Sequence, residues 1–160
     1  MYDTRHVFDH IIIGGGPAGL QMSYFLHQRG ASYVILEGAA QVGSFFTKYP
    51  RHRKLISFNK VHTGYTDRDS RLRYDWNSLL SDNEALLFTH YSKDYFPAAD
   101  DLVRYLQDFA RVCDLNVHLH RRVAHIAKDH SGFVITTQQG AVYHCARLII
   151  ATGLYKPTQP

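Results

Sequence analysis

The sequence has few cysteines, and their positions exclude one class of active site. Cys113 and Cys145 are the only two in 160 residues, and they form no Cys-x-x-Cys pair. A dithiol–disulfide centre of the thioredoxin-reductase type is therefore not encoded here. Because isolated cysteines usually pack as small apolar side chains, we expect both to be structural.

Long apolar runs and strong charge are also missing. No stretch is long enough to cross a bilayer as a helix, so we expect no membrane span. Residues 1–6 contain no apolar stretch that resembles a secretory signal. The net charge of +4 is only mildly basic, and the basic residues form no stripe with the aromatic ones. We therefore expect no nucleic-acid partner.

The histidines do not form a recognisable metal site. His118 and His120 lie on one face of a predicted strand, and His125 and His130 follow. Two histidines at this spacing can share a metal ion, but no carboxylate or thiol completes a ligand set. We expect no bound metal, and no Ser-His-Asp order or pair of carboxylates indicates a hydrolase.

A glycine-rich turn dominates the N-terminal part of the chain. It follows three isoleucines at 11–13 and consists of Gly14, Gly15, Gly16, Pro17, Ala18 and Gly19. The spacing of Gly14, Gly16 and Gly19 is that of a dinucleotide-binding fingerprint. Its first glycine turns the chain, its second lets the backbone approach a pyrophosphate, and its third lets the helix pack closely. Pro17 suits the first helical turn, whose free N–H groups face the anion.

An acidic residue follows at the distance that the fingerprint requires. The apolar run at 33–36 ends in Glu37, eighteen positions after Gly19, where an acid accepts hydrogen bonds from an adenosine ribose. At ~4 Å, its repulsion of a ribose 2′-phosphate is about 4 kcal/mol at an effective dielectric constant of about 20. We therefore predict a site that prefers FAD or NAD to NADP.

The order of the patterns predicts one domain over residues 1–160. A β-α-β unit spans 9–37, an aromatic and basic excursion spans 38–97, a meander of short strands spans 116–145, and a closing strand spans 148–153. A helical face is predicted for Leu102, Tyr105, Leu106, Phe109 and Cys113. The fold class is α/β: a Rossmann-like three-layer domain with a parallel sheet and a small antiparallel β-meander.

These blocks resemble the FAD-binding half of flavoproteins that have two dinucleotide-binding domains. The glycine turn, the acid, the meander and an Ala-Thr-Gly strand end at 151–153 follow the order of that superfamily. Residues 43–47, 49–57, 74–80 and 95–97 resemble the flavin-containing monooxygenase branch, in particular flavoproteins of the endoplasmic reticulum that are associated with degradation. The resemblance implies FAD as cofactor, NADPH as hydride donor in the intact protein, the endoplasmic reticulum lumen, and a protein partner in degradation.

The resemblance also implies individual roles. The implied cofactor-binding residues are Gly14, Gly15, Gly16, Pro17, Ala18, Gly19, Glu37, Gly43, Ser44, Phe45, Val123, Ala151, Thr152 and Gly153. The backbone of Val123 would meet the adenine, and Asn59 would lie beside the reactive edge of the flavin as the candidate catalytic residue. Arg53 is a candidate for charge-assisted contacts to cofactor phosphates, although a solvated basic loop explains it equally well.

Two departures from the monooxygenase pattern leave other functions open. The chain has Val-Gly-Ser-Phe at 42–45 where monooxygenases have Gly-Gly-x-Trp, and no NADPH-binding domain follows residue 153, so we expect an incomplete or truncated form. A non-catalytic FAD-binding or interaction module is therefore one alternative. An NAD-binding dehydrogenase is another, but it does not explain the Ala-Thr-Gly end or the blocks at 43–60. Without a signal, the cytoplasm is the alternative location.

Overall fold

The computed structural model describes residues 6–153 and begins with a parallel β-α-β unit. Strand β1 (Val7–Ile13) is followed by helix α1 (Pro17–Gln28) and strand β2 (Tyr33–Leu36). The helix begins with Pro17, whose missing N–H costs nothing in a first turn. It ends before Gly30, which has the positive φ of 62° that glycine adopts without strain.

Six strands form one sheet in the order β3-β2-β1-β6-β5-β4. The remaining strands are β3 (Val117–His118), β4 (Val123–Asp129), β5 (Gly132–Thr137) and β6 (Val142–Ile150). In the parallel part, Ile13 of β1 is level with Leu36 of β2 and with Ile150 of β6. The carboxyl ends of these three strands therefore meet at one edge of the sheet, which is where ligands bind in open α/β folds. The predicted fold class is confirmed.

Strand β6 differs from the prediction of a meander that ends at 145 and a separate closing strand at 148–153. It is continuous, and it pairs antiparallel with β5 up to Cys145 and parallel with β1 from His144 onward. The meander is thus an extension of the main sheet. The strand predicted to carry His118 and His120 is also shorter, because the chain leaves β3 after His118 and His120 adopts a positive φ of 55°.

The sheet has a different layer on each face. Helices α1 and α3 (Ala99–Val112) cover one face, where the predicted helical face of α3 is confirmed as buried at Leu102, Tyr105, Leu106 and Phe109. On the other face, the meander packs on the parallel strands through a cluster of Ile11, Ile13, Val34, Leu36, Ile135 and Tyr143. Successive side chains of a strand point to opposite faces of the sheet. Ile12, which lies between Ile11 and Ile13, therefore packs on the face that the helices cover.

The excursion over 38–97 has little regular structure but is attached firmly to the helices. It contains helix α2 (Arg68–Tyr74) and short 3₁₀ turns, including Ser44–Thr47. Side chains of α1 and α3 hydrogen-bond its backbone: Gln21 to Leu80, Tyr24 to Asp82, and Tyr105 to Leu79. These bonds fix the segment beside the carboxyl edge of the sheet. Among residues 6–153, no helix is long and apolar enough to span a bilayer.

Candidate functional site

The glycine turn between β1 and α1 is tightly enclosed at two of its three fingerprint positions. Gly14 has a φ of 109°, and a Cβ added to it would lie 2.5 Å from the carbonyl oxygen of Ala151. A Cβ on Gly19 would lie 2.0 Å from the carbonyl oxygen of Gly14. Both contacts are too short for any side chain, so glycine at position 14 lets the chain after β6 approach the turn, and glycine at position 19 lets α1 approach it.

The middle position, Gly16, has a different surrounding. A Cβ added there would meet no atom of the described chain within 4 Å, although φ is an ordinary −84°. Gly16 therefore leaves open space directly in front of the N-terminus of α1. No side chain caps this end, so the N–H groups of Ala18 and Gly19 lack an intrahelical acceptor and are available to an anion. The space and the donors fit a pyrophosphate.

Glu37 lies beside this turn at the end of β2. It is 8% exposed, and its Oε2 accepts a hydrogen bond of 2.7 Å from the Gly15 N–H. Its Oε1 accepts from the Ala39 N–H at 2.8 Å and from the Ser44 hydroxyl at 3.2 Å. A carboxylate can accept about four hydrogen bonds, so three donors orient Glu37 and still leave capacity for a ribose hydroxyl.

Gly43 brings the start of the excursion against the same turn. Its N–H donates to the Gly15 carbonyl at 2.9 Å, and its φ of 67° is in the left-handed region. A Cβ at this position would be 3.0 Å from Leu106 of α3. The structure therefore brings Gly43 and Ser44 together with the glycine turn and Glu37.

An apolar cleft of about 500 Å³ has Pro17, the first residue of α1, in its wall. It is lined by Pro17, Phe45, Phe46, Tyr49, Pro50, Leu55, Ile56, Ser57, Trp76, Asn77, Ser78, Leu79, Leu102 and Leu106. Its volume is in the range of pockets that bind small molecules and cofactors. Because Pro17 belongs both to the cleft wall and to the glycine turn, one extended ligand can occupy both.

The strand-end residues lie at the edges of this site. The Ala151 N–H donates to the Ile13 carbonyl at 2.8 Å and so closes the turn from the β6 side. Thr152 and Gly153, which follow Ala151, are exposed. Val123 begins β4 opposite Thr137, next to a bulge in the pairing.

Asn59 and Arg53 are not brought to the wall of the cleft. Asn59 is 3% exposed, and its Nδ2 donates to the Ser92 carbonyl at 2.7 Å. The Arg53 guanidinium donates to the Phe46 carbonyl at 2.5 Å and to the Asp100 carboxylate, so it joins the loop to the start of α3. Both predicted roles stay predictions.

Sequence reasoning missed most of the cleft wall, including Tyr49, Ser57, Asn77 and Leu79. The one available signal is the density of aromatic residues in the excursion, which does not indicate which of them converge. Trp76, which is 66% exposed at the cleft, has the Lys60 ammonium 3.5 Å from the centre of its ring.

Neither cysteine is placed or activated for redox chemistry. Cys113 follows α3 and Cys145 lies in β6, both are free thiols, and burial raises the pKa of each. Raised thiol pKa values disfavour the reactive thiolate. In the part of the chain that the structure describes, no group of three or more His, Cys, Asp or Glu side chains could hold a metal ion.

Comparisons with known proteins show the family of this chain. A family model described as pyridine nucleotide-disulphide oxidoreductase matches residues 11–159. The mouse protein "FAD-dependent oxidoreductase domain-containing protein 2" is 51% identical over 156 residues, which cover 93% of this chain and 24% of the mouse protein. The chain therefore spans about a quarter of the length of this relative.

Solved structures give the same fold. A bacillithiol disulfide reductase from Staphylococcus aureus superposes with a TM-score of 0.73 and 26% identity, over 92% of this chain and 39% of the reductase. A flavin-containing monooxygenase from Stenotrophomonas maltophilia has a TM-score of 0.71 at 24% identity, over 96% of this chain and 42% of its own, and supports the fold alone. The resemblance predicted from the sequence is confirmed. The chain belongs to the pyridine nucleotide-disulphide oxidoreductase family.

Proposed function

We propose that this chain is the FAD-binding part of a flavin-dependent oxidoreductase that receives hydride from NADPH in the intact protein. The observation that carries the proposal is the open backbone at Gly16, which lies between the Glu37 carboxylate and the apolar cleft. An adenosine diphosphate linked to a large planar ring matches these three features in order. The name of the mouse relative and the family description support FAD and a pyridine nucleotide.

Each part of the site has its own task. The N–H groups at the start of α1 bind the pyrophosphate, Glu37 binds the adenosine ribose, and the apolar cleft excludes water from the ring. When FAD is bound, it supplies the redox chemistry, and the protein positions it and tunes its electronics. No acid–base pair of the described chain is needed for that task.

The described residues fit oxygen, the electron acceptor of a monooxygenase, better than they fit a disulfide as acceptor. Cys113 and Cys145 lie in separate elements, and burial raises the pKa of both thiols. Neither is prepared to attack or form a disulfide next to the cleft. The lumen of the endoplasmic reticulum and a partner in degradation stay predictions from the family resemblance.

A non-catalytic interaction module is the second candidate. Ile56 is 84% exposed and Trp76 is 66% exposed at the mouth of the cleft, which is unusual for large apolar side chains on a free surface. Such a surface suits contact with another protein segment. Reduction of the bound flavin by NADPH in the purified protein would contradict this alternative.

The decisive experiment combines absorbance with one glycine substitution. The purified protein, supplied with FAD, is expected to retain the visible absorbance of a flavin after gel filtration. Gly16→Val is expected to abolish this absorbance, because the valine side chain fills the space in front of α1, and to leave the circular dichroism spectrum unchanged. Ala127→Val, on the exposed side of β4, is the matched control and should bind FAD normally. A wild-type protein that ignores FAD, or a Gly16→Val variant that retains it, refutes the proposal.

A further inference from the structure

Three aromatic side chains, which we call the aromatic triad, form an exposed cluster outside the cleft. Phe58, Tyr95 and Phe96 are 39%, 62% and 46% exposed, and none of them lines the cleft. The centre of the Phe58 ring lies 4.8 Å from that of Tyr95 and 5.2 Å from that of Phe96. Since one covered aromatic side chain buries about 150–250 Å², the exposed parts of the triad amount to roughly 300 Å². A contiguous apolar patch of this size is often a binding surface.

The backbone that carries the triad is held in place by hydrogen bonds between its two segments. The Leu55 N–H donates to the Pro97 carbonyl at 2.8 Å, and the Asn59 N–H donates to the Tyr95 carbonyl at 3.0 Å. Leu55 and Asn59 are buried, and the side chains of an extended segment alternate, so Phe58 lies on the outward side. The rings are therefore presented on a fixed support, which lowers the entropy lost when a ligand covers them.

The two segments that carry the triad are strongly basic. Residues 48–60 and 92–97 contain six lysines and arginines but only one acidic residue, whereas the net charge of the whole chain is +4. Lys48, Arg51 and Lys93 are exposed and form no ion pair with another residue of the described range 6–153. An excess of unpaired positive charge next to exposed rings complements a ligand that is both acidic and apolar.

The size and the charge of this surface disfavour a second copy of the chain as its ligand. A stable protein–protein interface buries about 800 Å² on each partner, and the triad offers roughly 300 Å². A symmetric contact between two copies would also bring each basic surface against itself, with Arg51 and Lys93 facing like charges. A short peptide needs less area, because a few aromatic anchors carry most of the binding energy.

We propose that the aromatic triad binds a short, extended, acidic peptide segment of a partner protein. The apolar side chains of the peptide pack on Phe58, Tyr95 and Phe96, and its carboxylates pair with Lys93 and Arg51. The surface lies outside the cleft, so the proposal does not depend on flavin binding.

The test uses three short fluorescein-labelled peptides of equal length and measures binding to the purified chain by fluorescence anisotropy. The first peptide combines glutamate with leucine and phenylalanine, the second has lysine in place of glutamate, and the third has serine in place of the apolar residues. The variants are Tyr95→Ala, Phe96→Ala and Lys93→Glu.

Two substitutions outside the triad are the matched controls. Tyr65→Ala removes an exposed tyrosine of the same excursion, whose ring stacks on Tyr74 and not on the triad. Lys128→Glu makes the same change of net charge as Lys93→Glu but lies on β4. Circular dichroism shows whether each variant is folded. If Phe96→Ala does not fold, Tyr95→Ala and Lys93→Glu decide, because both of these side chains are exposed.

The wild-type chain is expected to bind the acidic apolar peptide in preference to the other two, and more weakly as sodium chloride is added. Tyr95→Ala and Phe96→Ala should each weaken this binding about tenfold, and Lys93→Glu about fivefold, whereas both controls should bind as the wild type does. A wild-type chain that does not prefer the acidic apolar peptide overturns the inference, as does equal weakening by the controls. Self-association that Tyr95→Ala abolishes would assign the surface to a second copy and also overturn it.

Discussion

The Glu37 carboxylate accepts a hydrogen bond of 2.7 Å from the Gly15 N–H, across 22 residues of sequence. This bond joins the end of β2 to the turn that follows β1. It also places the carboxylate beside the turn that precedes α1, so that one acidic residue orients the turn and is positioned for the ligand proposed above.

Replacing Glu37 with glutamine is expected to weaken ADP and FAD binding by about tenfold, because charged acceptors bind ribose hydroxyls more strongly than neutral ones. Discrimination against an adenosine nucleotide with a 2′-phosphate should shrink, since the repelling charge is gone. Calorimetry with ADP and with its 2′-phosphorylated analogue measures both effects. Glu84→Gln, an exposed change in a 3₁₀ turn, is the control. Undiminished discrimination in Glu37→Gln contradicts the assigned role.

Gly19→Ala is expected to lower the free energy of unfolding by ~3 kcal/mol, because the new Cβ would lie 2.0 Å from the Gly14 carbonyl and force α1 away from the turn. Gly16→Ala introduces the same methyl group into open space and should cost less than about 1 kcal/mol. Urea unfolding followed by circular dichroism compares the two. Equal destabilisation by both changes would show that the contact with Gly14 is not the cause.

Tyr105→Phe is expected to cost about 1–2 kcal/mol of folding free energy and to weaken FAD binding, because it leaves the Leu79 N–H without its 2.6 Å acceptor in the cleft wall. Burial raises the pKa of Tyr105, so the wild-type hydroxyl stays protonated across the accessible pH range. Tyr91→Phe is the matched control: its hydroxyl bonds Asp108, which also pairs with Arg111 and is partly exposed. A larger effect from Tyr91→Phe on FAD affinity speaks against the prediction.

Stability is expected to decrease as the pH falls below neutrality, and His118 should account for part of the decrease. Burial, with smaller contributions from His6 and Arg121, lowers the pKa of His118 below its ordinary 6.5. The unfolded chain therefore binds the proton more readily than the folded chain. The resulting loss of folding stability begins near pH 6.5 and is complete below the lowered pKa of the folded state. Urea unfolding at pH 7.5 and 5.0 should show a smaller pH effect in His118→Gln than in the wild type.

The matched control for this measurement is His130→Gln, an exposed change in the turn between β4 and β5. It should leave the pH dependence as it is in the wild type. Parallel pH profiles for His118→Gln and the wild type would remove His118 from the explanation.

The β-α-β unit could be predicted because its signals are local. The glycine spacing, Pro17 and the apolar runs on either side each determine a conformation within a few residues, and they agree with one another. The burial of α3 was predictable for the same reason, since Leu102, Leu106 and Phe109 follow the helical period.

Strand β6 was not predictable in this way. Ala146 and Arg147 are exposed, as loop residues usually are, and they separate two apolar runs. Strand β5 pairs with β6 only as far as Cys145, whereas β1 pairs with β6 as far as Ile150. Ala146 and Arg147 are therefore exposed because β6 has no neighbouring strand on its β5 side at these positions. Only the tertiary arrangement contains this information.

The wall of the cleft is the other part that local pattern could not supply. Asn77 depends on Ser57, twenty residues away, and the backbone beside it depends on Tyr105 of α3 and Gln21 of α1. No period or spacing within 38–97 reports these partners. The role of an asparagine in a loop is visible only when its neighbours are known.

Because β1 is placed between β2 and β6, it keeps one hydrogen-bonding edge unpaired until β6 arrives. The Ala151 N–H that closes the turn through Ile13 is synthesised about 140 residues after its acceptor. On the ribosome, β1 must therefore carry an unpaired apolar edge until β6 has been synthesised. The parallel part of the sheet is therefore complete only after residues 142–150 have docked against β1.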